Sequence, residues 1–140
     1  MKKRMKKEIK ALWVEALRSG LYRQGKAALR PTDTGKVGPD GKWGSFCCLG
    51  VLCDLMPKME WVDCADEVEG FPRADYKDKD EVQIERTWAG IPESVQRWAG
   101  LDTDSPGYVE EGGIDRSLVW LNDDQGASFD VIADVIEDEF

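Results

Sequence analysis

Cys47, Cys48 and Cys53 crowd into FCCLGVLCDLM, residues 46–56, with Asp54 as the one charge. Thiols at that density could hold a metal, carry electrons or attack a substrate, and each use makes its own demand on spacing. A zinc knuckle needs C-x2-4-C pairs that present two thiolates from one tight turn. Here two cysteines are adjacent and the third lies about 500° further round a helix from Cys48. No C-x-x-C redox pair is present. The chain has no histidine, which removes Ser-His and Cys-His nucleophiles, imidazole metal sites and the commonest general base. The cysteines are therefore expected to be small buried hydrophobes. Their segment, apolar on all sides, suits a central buried helix or strand. Gly50 would admit a close neighbour, and Asp54 would cap or pair locally.

The densest polar patch is RSGLYRQGKAALR, residues 18–30. Arg18, Arg23, Lys26 and Arg30 could meet phosphate oxygens, the arginines through a fork of donors and the lysine as a point charge. Gln24 adds hydrogen bonds, and Tyr22, Trp43 or Phe46 could stack on a base. These eight residues are the ligand-binding set read from the sequence. The plain counter-reading is a solvated face of ordinary surface bases. No P-loop and no G-x-G-x-x-G accompanies the patch.

Carboxylates are plentiful: Asp102 and Asp104 in the turn LDTDSPG, Glu110-Glu111, and Asp123-Asp124. Any two could hold Mg²⁺ or Ca²⁺, but the ligand order of an EF-hand is missing, and no metal or cofactor is expected. Asn122 and Asp123 are read as helix-end caps. A carboxylate-and-metal hydrolase is the weakest of the functional readings.

Charge is divided unevenly along the chain. Residues 1–10 carry a net +5, residues 11–60 +2, residues 61–100 −5 and residues 101–140 −11, giving −9 overall. Arg116 is the one base in the last forty residues. Such a molecule repels nucleic acid, whose binding rests on phosphate neutralisation. A small anion needs only a local basic pocket, which the balance places in the N-terminal half. The C-terminal helices and their Gly-containing turn faintly suggest helix-turn-helix, yet the second carries acids and no base, so DNA binding is rejected. No apolar run approaches a membrane span, and the basic start lacks a signal-peptide core, so a cytoplasmic protein is expected.

The elements that would position these residues follow from periodicity. Residues 5–19 read as an amphipathic helix with Ile9, Leu12, Trp13, Ala16 and Leu17 inward, stopped at Ser19-Gly20, with residues 1–6 frayed. Residues 21–30 read as a turn and strand, and the Gly-rich stretch 31–44, with Asp40-Gly41, as a hairpin. Residues 57–80 read as an acidic surface loop and 82–86 as a short strand. Pro92 opens a helix with Val95, Trp98 and Ala99 inward, stopped by Gly100. Ser117 would cap a short helix to Asn122, and Ser128 a final one burying Phe129, Ile132, Ala133 and Ile136. Trp13, Trp98 and Trp120 are assigned to the core, and Trp43 is the exposed ring. The sum is one α+β domain spanning residues 1–140.

Four stretches together, ALWVEALRSGLYRQGKAALR, FCCLGVLCDLM, IPESVQRWAGLD and SLVWLNDDQGASFDVIADVIEDEF, carry a family resemblance. The chain resembles a widespread group of small bacteriophage proteins, over nearly its whole length apart from residues 57–87. Within that group the association is with anti-CBASS sponge proteins, oligomers that sequester cyclic dinucleotide immune signals. The resemblance implies capture without catalysis in the infected host cytoplasm, by a homo-oligomer, possibly a tetramer. Bases and aromatics from more than one subunit would form the site. The acidic insert at 60–80 departs from the pattern and could alter solubility or an interface. The alternative is an acidic interaction module that inhibits a host factor through the −11 C-terminal segment.

Overall fold

The computed structural model describes residues 5–26, 29–30, 39, 44–57, 59–63, 74–78, 84–85, 90–110 and 112–140. The architecture is α+β.

Helix α1, Lys7–Arg18, buries Ile9, Trp13, Val14, Ala16 and Leu17. Leu12 was expected inside with them but is 46% exposed. The buried stripe is carried instead by Val14, one position off the expected spacing. The expected fraying of residues 1–6 is corrected at its end. Met5 is buried and the Lys6 N–H donates to Ala99 O at 2.8 Å, which ties the start of α1 to α3. Residues 1–4 lie outside the described residues.

Helix α2, Cys48–Leu55, is the expected central helix, with Cys48 to Cys53 all buried. A β-carbon on Gly50 would stand 1.9 Å from Leu29 O, so only glycine lets the backbone at Leu29 lie this close. Trp13 pins α1 to α2 by donating its indole N–H to Cys48 O at 2.9 Å, and its ring meets Phe140 edge-on at 6.1 Å.

Strands β1, Met59–Asp63, β2, Ala74–Asp78, and β3, Ile84–Glu85, form an antiparallel sheet in that order. Trp61 pairs with Tyr76, and Lys77 with Ile84. The expected surface loop at 57–80 is thus partly strand. Its acid content hid two short pairing segments with aromatic residues, which favour strands. Apart from Pro39 and Gly44, the hairpin expected at 31–44 lies outside the described residues.

Helix α3, Glu93–Ala99, follows Pro92 and ends at Gly100. Val95 and Ala99 are buried, but Trp98 only packs against the core from its edge. Strands β4, Gly107–Val109, and β5, Asp115–Ser117, form a hairpin. The next turn, Trp120–Asp124, is a π-turn closed by the Gln125 N–H to Trp120 O at 3.0 Å. Ser117 Oγ accepts from Trp120 N at 3.1 Å, the expected cap. Helix α4, Phe129–Glu139, is capped by Ser128 and buries Phe129, Ile132, Ala133 and Ile136 as expected. It packs along α1. No described helix is long and apolar enough to cross a membrane.

Candidate functional site

The 18–30 segment leaves α1 and passes the start of α2. Gln24 bridges Phe46 in parallel, with Phe46 N donating to Arg23 O at 2.8 Å and Gly25 N to Phe46 O at 2.7 Å. Asn122, fully buried, reaches this crossing from the π-turn. Its Nδ2 donates to Gly25 O at 2.8 Å and to Asp123 Oδ1 at 2.7 Å. Its Oδ1 accepts from Gln24 Nε2 at 2.9 Å and from Cys48 N at 3.3 Å. Gln24 Nε2 also donates to Ala127 O at 2.7 Å. Asn122 therefore caps a helix, but α2 rather than its own, by holding that helix's first amide.

This geometry decides the fate of the eight predicted ligand residues. Gln24 is a clasp between chain segments. Tyr22 donates its hydroxyl to Asp54 Oδ2 at 2.6 Å and sets its ring edge-on to Phe46 at 5.0 Å. Phe46 is 0% exposed, so it cannot stack on a base. The Arg30 guanidinium lies over the Phe46 ring at 4.4 Å, and Arg30 is itself only 1% exposed. Arg18 is bound to Asp134 at 2.6 Å and Glu137 at 2.7 Å. Those hydrogen bonds raise its pKa and consume its charge. Arg23 and Lys26 are exposed. Trp43 lies outside the described residues.

The four bases do not gather on one recess. Arg18, Tyr22, Arg23 and Gln24 do line a shallow cavity of about 280 Å³, but Ser128, Phe129 and Asp130 form its other wall. With Asp130 present and Arg18 already paired, that cavity is poorly made for an anion.

The cysteines are inert by burial. Burial pushes the Cys47 thiol up to about 12, and burial together with neighbouring Cys47 pushes Cys48 well above its ordinary value. Cys47 Sγ accepts from Gly50 N at 3.4 Å, a cap to α2. Among the described residues no three His, Cys, Asp or Glu side chains cluster as metal ligands.

A second cavity, of about 560 Å³, opens between the β4–β5 hairpin and the π-turn. In the hairpin Tyr108 pairs with Arg116, so both side chains leave the same side of the ribbon. A β-carbon on Gly107 would meet Arg116 O at 2.1 Å, so glycine is needed for the strands to close here. The Arg116 guanidinium lies 4.3 Å from the Trp120 ring. Its Nε faces Glu110 Oε2 at 3.4 Å, yet is buried without a hydrogen bond to any described residue. Thr103, Ser105, Ser117 and Asp115 complete the wall. Burial, then Glu110, raises the Tyr108 pKa against the opposing pull of Arg116, so the phenol remains a donor.

Sequence reasoning missed this site. Trp120, assigned to the core, is half-buried and lines the cavity. One signal was present: the single base of a strongly acidic segment stands four residues before a tryptophan.

Residues 5–140 match the model of a protein family described as a domain of unknown function, DUF8296. The chain belongs to that family. No curated protein and no solved structure matches it. The DUF8296 match begins at Met5, the residue that anchors α1, and spans every group named around both cavities. Chemically the larger of these two cavities offers a flat ring capped by a planar cation, a phenol, hydroxyls and the carboxylate of Asp115.

Proposed function

We propose that this DUF8296 protein captures a nucleotide signal, a cyclic dinucleotide or a close relative, and holds it uncleaved. The setting would be the cytoplasm of an infected bacterium, where the protein would act for a phage against host defence. The observation that carries this reading is the stack of Arg116 on Trp120 at 4.3 Å in the wall of a 560 Å³ cavity. A guanidinium fork suits phosphate oxygens, and stacking on an aromatic ring contributes ~1–3 kcal/mol per base. The volume falls in the range of ~300–1,000 Å³ that small-ligand sites occupy. Glu110 and Asp115 both oppose an anion, but Asp115 is exposed and screened by water and salt, and loose, partly exposed ion pairs such as that of Glu110 are worth only ~0–1 kcal/mol. A phosphate can therefore take its place at small cost.

The test is equilibrium dialysis against a panel of cyclic dinucleotides, followed by heat release and chromatography of the ligand. Intact ligand is expected. Trp120→Ala should weaken binding by roughly five- to 150-fold, the equivalent of the stacking energy, and Arg116→Ala by a similar amount. Linear products would make the protein an enzyme, and no binding across the panel would end the proposal. Binding lost with Arg23→Ala but kept in Arg116→Ala would return the site to the smaller cavity.

A second reading rests on α4, whose Asp130, Asp134, Glu137, Asp138 and Glu139 are all exposed around an exposed Val131. That face fits a basic protein partner. Binding of such a partner would weaken steeply with salt and would not respond to Arg116→Ala.

A further inference from the structure

Among the described residues that line the 560 Å³ cavity, Arg116 is the one cation. Three carboxylates stand around it, each from a different element. Glu110, at the end of β4, reaches its Nε at 3.4 Å. Asp115 precedes it on β5 and lines the same cavity. Glu139, in the last turn of α4, is close enough to help raise the pKa of Tyr108, the cross-strand neighbour of Arg116. Asp115 and Glu139 are exposed and Glu110 is half-buried. Water and salt therefore soften their field without cancelling it.

We infer, resting on the nucleotide capture proposed above, that the guest is a cyclic mononucleotide: one base and one singly charged phosphodiester. Arg116 offers a fork of donors to one phosphate, and the Trp120 ring beneath it offers a stacking platform. A cyclic dinucleotide brings a second phosphodiester. No second cation among the lining residues meets it, and the groups around Arg116 are acids. One unpaired negative charge ~7 Å from a net unit of like charge costs roughly three- to thirtyfold in affinity, across dielectrics from bulk water to a protein surface. A mononucleotide with a terminal phosphate carries about −1.5 to −2 on that group at pH 7. Its second charge faces one cation against three acids. The cyclic mononucleotide is the guest that the single guanidinium can neutralise alone.

Calorimetric titration with cyclic mononucleotides and with the cyclic dinucleotides of the same bases tests the charge count. At ~0.01 M salt, where screening is weak, the best mononucleotide should bind roughly three- to thirtyfold more tightly than its dinucleotide. The gap should narrow as salt rises to ~0.15 M and the Debye length contracts. Glu110→Gln with Asp115→Asn should also narrow it, by strengthening dinucleotide binding more than mononucleotide binding. Because the readout is a ratio of two ligands on one protein, a general loss of fold or of affinity does not mimic it. The single change Asp115→Asn, at an exposed position, should act in the same direction. Arg116→Ala should weaken both ligands. A wild type that binds the dinucleotide as tightly as the mononucleotide overturns the inference and leaves nucleotide capture standing. So does a gap that neutralising the acids leaves unchanged. Failure of every ligand of both kinds to bind removes nucleotide capture itself.

Discussion

Replacing Asn122 with alanine should be among the most damaging single changes in the protein, and the structure says by how much. The side chain is fully buried and makes four hydrogen bonds, two as donor and two as acceptor. Two of the partners are backbone groups inside the fold: the Gly25 carbonyl and the Cys48 amide, the first residue of α2. Alanine leaves both unmatched. A buried backbone group stripped of its partner costs ~1–3 kcal/mol, so the pair costs ~2–6 kcal/mol before any void is counted. Against a typical total of ~5–15 kcal/mol that is a large share. Urea unfolding followed by tryptophan fluorescence, to which buried Trp13 contributes, would read it. At a slope of ~2 kcal/mol per molar, a ~4 kcal/mol loss lowers the midpoint by ~2 M. Gln24→Ala is the control. It removes one donor to Asn122 and one to the partly exposed Ala127 carbonyl, while the Cys48 amide keeps its acceptor. Its cost should be ~2 kcal/mol, at the usual net worth of ~1 kcal/mol for each such bond. If Asn122→Ala shifts the midpoint no further than Gln24→Ala, then Asn122 is not the clasp described above.

Gly50→Ala should destabilise by ~3 kcal/mol or more, as a severe overpacking does, although alanine is the better helix former by ~1 kcal/mol. The Leu29 carbonyl it would strike at 1.9 Å is held by Cys47 N at 3.1 Å, and a thermal melt above wild type would refute the close approach. The cysteines should be silent. A Cys64→Ser variant is expected to resist Ellman's reagent when native and to show three reactive thiols when denatured, since Cys47, Cys48 and Cys53 are buried and in no disulfide. Because the folded state raises the Cys47 pKa from 9.0 to about 12, it favours the protonated thiol. That contribution is whole below pH 9 and is lost as pH climbs from 9 towards 12. Stability measured across that interval should fall, and less steeply in Cys47→Ala.

Much of the fold was legible because it depends on short-range pattern. Ser128 and the spacing of Phe129, Ile132, Ala133 and Ile136 define α4 without reference to anything distant. The uncharged, apolar run 46–53 could only be interior. What could not be read was which polar groups meet across the chain. Tyr22 finds Asp54, 32 residues away, Gln24 finds Asn122, 98 away, and Arg18 finds Asp134, 116 away. Each of these partners converts a residue with the chemistry of a ligand site into one that holds the fold. Leu12 failed for a related reason. Helical spacing allows a wider stripe than the neighbouring elements cover, and α4 and α2 together leave that edge of α1 open.

The candidate site moved for the same physical cause. A guanidinium is a recognition group only while its donors are uncommitted, and in a chain of net charge −9 carboxylates compete for them. Arg18 has two, at 2.6 and 2.7 Å, and holding both leaves little field for a phosphate. Arg30 is sealed over Phe46. Arg116 differs because β-pairing sets it across from Tyr108 and the π-turn sets Trp120 beneath it, so its plane is fixed by stacking rather than by acids. Glu110 reaches it only at 3.4 Å, close enough to orient the fork and too loosely placed to saturate it. An arginine held flat against an indole, with donors still to give, is preorganised in the sense that lowers the entropic cost of binding. In the basic segment Arg18 and Arg30 spend their charge on the fold, while Arg116 in the acidic segment keeps donors on a recess, where the proposed guest would meet them.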